Sequence, residues 1–66
     1  MTTIDTITDS QIRALQHEAE AAGDIAMACL CRTACGDYEK ATQTEMMAAR
    51  HECVRVIRDA EAMADR

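Results

Sequence analysis

The stretch I-A-M-A-C-L-C-R-T-A-C, from Ile25 to Cys35, decides how the rest of this chain is read, because only Arg32 and Thr33 interrupt its apolar character. A helix that is hydrophobic all round must be covered all round. The segments before and after it are therefore its covers, and whatever they leave bare needs a partner. Two glycine-aspartate pairs, Gly23-Asp24 and Gly36-Asp37, bracket the stretch. In each, glycine suits the left-handed position that ends a helix, and the aspartate places a carboxylate where a following helix has its positive end. The bracketed segment reads as a helix over about 24–35.

Upstream, Thr8 and Gln11 have the spacing of a capping box, and Ile7 and Ile12 fall where a hydrophobic staple places them. Both signals choose the same start. Ile12, Leu15, Ala19 and Ala22 then lie on one stripe, which predicts a helix over 9–22 that ends at Gly23. A connection as short as Gly23-Asp24 makes the first two helices antiparallel neighbours. Downstream, Asp37 offers one start and Thr42 with Glu45 a second capping box. The second is preferred, with a turn over 37–42 and a long helix over 43–64. In it Met46, Ala49, Cys53, Val56, Ala60 and Met63 alternate steps of three and four, as in a heptad seam, and Met47, Val54 and Ile57 widen that seam. The fold class is all-α: a loose tail over 1–6, then a single three-helix domain over 7–66, built as an antiparallel hairpin plus a longer third helix.

Size sets the energetics. A domain of 66 residues has a core that supplies about 3–5 kcal/mol unless a metal, a disulfide or assembly adds to it. Ile, Leu and Val number nine against thirteen Ala and five Met, with no Phe or Trp. The absence of Pro and the presence of only two Gly leave strong helix formers in charge, but the contacts are thin and alanine-lined. A homodimer is the expected assembly.

The net charge of −5 is uneven. Residues 1–39 hold seven acids against Arg13 and Arg32, whereas residues 40–66 hold five of each sign. An acidic chain without a basic face gains no counterion-release attraction to nucleic acid, so direct binding of DNA or RNA is not expected. A basic protein partner is. The polar, acidic start MTTIDTITDS lacks the basic and apolar regions of a secretory signal, and no run approaches a membrane span. The location expected is cytoplasmic, with reduced thiols.

Cys29, Cys31, Cys35 and Cys53 resemble a metal set at first sight. On a helix Cys31 and Cys35 share a face, but Cys29 points away, and the C-x2-C spacing of zinc sites is absent. Small buried hydrophobes are the expected role. The alternative is a metal- or redox-responsive thiol protein that uses Cys31 and Cys35 of helix 2 with Cys53. No metal or other cofactor is expected. His51 and Cys53, two residues apart, project from opposite helix faces, so no thiolate-imidazole pair forms locally. No enzymatic activity is expected. His51, Arg55 and Arg58 make a short basic stripe interleaved with Glu52, Asp59 and Glu61, which reads as a solvated face with local ion pairs. Partner contact is assigned to Met27, Leu30, Cys31, Ala34, Tyr38, Met46, Met47, Val54 and Ile57, where adaptable methionines and the single aromatic meet an apolar helix.

The runs I-T-D-S-Q-I-R-A-L at 7–15, A-G-D at 22–24 and A-R-H-E-C-V-R-V-I-R-D-A at 49–60, with a cysteine-bearing central helix between them, resemble a group of short helical proteins encoded in bacterial genomes and mobile elements. The resemblance implies a bacterial or phage cytoplasmic setting. It brings no catalytic motif. The function expected is a small protein-protein interaction module, such as an inhibitor or adaptor of a host machine.

Overall fold

A computed structural model describes residues 1–64 and contains three helices: α1 (Asp9–Ala22), α2 (Ile25–Ala34) and α3 (Gln43–Ala64). Each begins on residues whose chemistry requires it, and α1 and α2 end on such residues too. At α1 the Gln11 backbone N–H donates to Thr8 Oγ1 at 3.2 Å, and the Thr8 N–H donates to Gln11 Oε1 at 2.9 Å. Thr8→Ala removes the side-chain acceptor of this reciprocal cap. It is expected to cost about 1 kcal/mol, seen as a melting temperature lowered by about 4–8 °C; an unchanged transition would show that the box does not hold the helix start.

The two glycine-aspartate pairs perform one operation twice. Gly23 has φ 76° and Gly36 φ 78°, the left-handed region that only glycine enters cheaply. The following aspartate N–H then reaches back to an orphan carbonyl: Asp24 to Ala19 at 2.8 Å and Asp37 to Arg32 at 3.0 Å, the six-to-one bond of a Schellman end. Asp24 also caps α2, accepting from the Met27 N–H at 3.2 Å. The Asp37 carboxylate turns instead to Arg13, which grips it with two bonds of 2.8 and 2.7 Å. Thr42 and Glu45 form the second reciprocal box, at 3.0 and 3.1 Å, so α3 begins after the 37–42 turn.

The core lies where α2 meets its two neighbours. Ile7, Ile12, Cys31, Ala34, Ala49, Cys53 and Val54 form one buried cluster, with Ile4, Leu15, Met27, Leu30, Cys35 and Ile57 packed around it. α2 packs against both α1 and α3, whereas α1 and α3 scarcely touch. Arg50 ties the three together at one end, donating to the α2 carbonyl of Ala34 at 2.9 Å and to Asp9 of α1 at 3.2 Å.

Residues 1–6 are not the loose tail that their polarity suggests. Thr2 is buried, its N–H and hydroxyl each donating to the Glu61 carboxylate at 3.1 Å. Gln11 Nε2 of α1 donates to the same hydroxyl at 3.1 Å. A turn over residues 4–6 brings Ile4 onto the core. The segment is a strap joining the start of α1 to the far end of α3.

Candidate interaction surface

Successive helical residues step by about 100°, and α2 divides cleanly on that basis. Ala28, Cys31 and Ala34 are buried, whereas Ile25, Ala26, Cys29 and Arg32 are exposed on the other side. Ile25 stands 76% exposed, next to a shallow hollow lined also by Glu20, Gly23, Ala28, Cys29 and Arg32. Across its edge Arg32 pairs with Glu20 at 3.6 Å. A helix apolar all round is thus covered on one side only, and the bare side is apolar with one charged residue.

A second uncovered surface follows from helix lengths. At about 1.5 Å per residue, the 10 residues of α2 span less than half of the 22-residue α3. The first part of the α3 seam, Ala49 and Cys53, is buried. The later part outruns α2 and meets only the edge of α1, leaving a groove there. Half-buried Leu15, Val56 and Ile57 form its floor, and exposed Ala14, Ala60 and Ala64 its sides. Gln11, Glu18 and Glu61 supply its polar edge.

The nine residues assigned to partner contact divide accordingly. Cys31, Ala34 and Val54 are buried within the single chain and offer no surface, which corrects their assignment: α1 and α3 together cover the middle of the α2 stripe. Met27 and Leu30 are half-buried against the core. Tyr38 and Met47 are exposed. Met46 is half-buried, its methyl 3.2 Å from where a Cβ on Gly36 would stand, so it covers the α2–α3 turn. Ile57 lines the groove. Ile25, Leu15 and Val56 carry exposed or groove-lining apolar surface without having been assigned to contact.

The thiols occupy contrasting environments. Cys29 is exposed, Cys35 half-buried, and Cys31 and Cys53 are buried in the one core cluster that α2 and α3 share. Burial pushes the Cys53 thiol up to about 12, aided by the neighbouring Cys31. It raises Cys31 and Cys35 as well. A thiol held protonated is a poor nucleophile and a poor metal ligand. Among the described residues no three His, Cys, Asp or Glu side chains converge to hold a metal. His51 is exposed while Cys53 is buried, as expected for residues two apart on a helix. Arg55 of the basic stripe is engaged by Glu52 and, at 3.3 Å, by Asp59.

What remains is surface, apolar in two places and edged by carboxylates. No family model, curated protein or solved structure matches the chain. Among the described residues, no helix is long and apolar enough to cross a membrane. Any functional reading therefore rests on this surface.

Proposed function

We propose that the protein is a non-catalytic interaction module that pairs with a second copy of itself and occupies a basic surface on another protein. The observation that carries this reading is the bare apolar side of α2, with Ile25 76% exposed. A chain this small has little core to spare, and leaving a large aliphatic such as Ile25 in water is most economical when a partner covers it. The acid-rich first part of the chain supplies the charge preference. Of its two bases, Arg13 is held by Asp37 and Arg32 by Glu20, so neither is available to a partner's carboxylates without breaking an internal pair. In this reading α1 and α2 are an antiparallel hairpin closed by α3. The protein works in the cytoplasm of a bacterium, as an inhibitor or adaptor of a larger machine, and the resemblance to short proteins of bacterial genomes and mobile elements supports that setting.

Sedimentation at micromolar concentration tests the pairing. The expected mass is twice the 7.3 kDa of one chain, falling to one chain in Ile25→Lys with helix content unchanged, because Ile25 touches little of its own fold. A well-folded wild-type monomer would sink the dimer. Capture from a bacterial lysate tests the partner: a basic protein is expected to be retained at low salt and released as salt rises. Retention of nothing, or of proteins indifferent to salt, counts against the module.

A further inference from the structure

We propose that the groove between α1 and the C-terminal half of α3 is a docking site for one amphipathic helix of a partner protein, with an apolar stripe flanked by lysine or arginine. The inference rests on the interaction-module reading and gives it a surface and a partner chemistry. The groove is formed by two helical faces. Gln11, Ala14, Leu15 and Glu18 recur at i, i+3, i+4 and i+7, and Val56, Ile57, Ala60, Glu61 and Ala64 continue the same periodicity on α3. The three alanines keep the sides low, so a third helix approaches both backbones closely, while Leu15, Val56 and Ile57 offer the apolar floor that such a helix covers.

The strap closes one end. Thr2 bridges Gln11 and Glu61 with bonds of 3.1 Å, holding the two walls together there.

Charge selects the occupant. Among the described residues, the groove's polar lining is Gln11, Glu18 and Glu61, with no lysine, arginine or histidine. Hydrogen bonds from Thr2 hold the Glu61 carboxyl below its ordinary range, so the edge stays anionic at neutral pH. A basic-flanked helix meets two carboxylates there. A second copy would bring the same two carboxylates against themselves, and like charges across an interface are unfavourable. Size agrees, since nine lining residues fall short of the roughly 20–30 per side of a stable protein-protein interface but suit a single helix.

The test uses the full chain and a synthetic helical peptide of about 15 residues, with leucines along one face and lysines beside them. A counterpart carries glutamate in place of lysine. Fluorescence anisotropy is expected to show binding of the lysine peptide that weakens as salt rises, and no binding of the glutamate peptide. Ala60→Trp, which fills the groove from an exposed position, and Glu18→Lys, which reverses its edge, are each expected to weaken binding about tenfold or more with circular dichroism unchanged. Equal affinity of wild type and Ala60→Trp, equal binding of both peptides, or no binding at low salt overturns the groove assignment. So does a wild-type dimer that Ala60→Trp, and not Ile25→Lys, returns to a monomer, since the groove's occupant is then a second copy. Salt-sensitive capture of a basic protein that persists in Ala60→Trp would leave the module reading standing while the groove falls.

Discussion

Ile12→Ala is expected to abolish the folded state. Ile12, Cys31 and Cys53 are the largest side chains buried below 2% exposure, and Ile12 is the only aliphatic among them. Truncating a buried isoleucine to alanine costs about 2–5 kcal/mol, against a reserve of about 3–5 kcal/mol for a core this small. The surroundings are poorly placed to collapse into the gap, because Ala34 and Ala49 in the same cluster have no side chain to extend. Circular dichroism should show little helix in Ile12→Ala at 25 °C and no cooperative urea transition. Ile25→Ala, which removes the same atoms from an exposed position, serves as the control and should unfold like the wild type at concentrations low enough that both are monomeric. A cooperative, near-wild-type transition in Ile12→Ala would mean that the helices are held by something other than this cluster.

The second large effect is alkaline unfolding. The Cys53 thiol is raised from 9.0 to about 12 in the folded chain, and Cys31 is raised as well, in both cases mainly by burial. Below the ordinary thiol value both states are protonated and the stabilisation is fully present. Above it the unfolded chain gives up protons that the folded chain keeps, so stability falls as pH rises, until the folded value is reached. Each such proton contributes about 1.4 kcal/mol per pH unit. Over the span from 9.0 to about 12 the Cys53 thiol alone uses up most of a reserve of about 3–5 kcal/mol, and Cys31 acts in the same direction. Under reducing conditions the urea midpoint should fall steeply from about pH 9 upward. Cys53→Ala should show a shallower slope despite a lower starting stability. A wild-type midpoint that stays flat through this range would show that the thiols are not buried together.

The three helices were legible because their ends are written in local chemistry. Thr8 with Gln11, Thr42 with Glu45, and the two glycine-aspartate pairs each act within six residues, so the sequence carries both partners of every bond. Faces were harder. Periodicity alone made the Ile25–Cys35 stretch apolar all round, and Cys31 and Ala34 were assigned to a partner when neighbouring helices had already covered them. A signal was present in Arg32. The one charge in the stretch shares a face with Ile25 and Cys29, at steps of seven and three residues, and so marked the side that stays in water. The groove was also foreseeable from lengths, since a ten-residue α2 cannot cover the whole seam of α3. The strap was not. Thr2 is ordered by Glu61, 59 residues away, and a polar N-terminal threonine carries no local sign of so distant a partner.

The contact pattern has a consequence for how the chain tolerates change. Because α1 and α3 both dock on α2 and scarcely on each other, substitutions on their α2-facing sides that lie outside the shared core cluster fall in separate interfaces, and effects in separate interfaces add. At such positions the outer helices can therefore drift in sequence independently, each answerable only to its own side of α2. The exceptions include the polar bridges between them, Gln11 to Glu61 by way of Thr2, and Asp9 with Arg50. Those five bind the histories of the two outer helices together. Elsewhere either constrains the other through the core cluster that all three helices share.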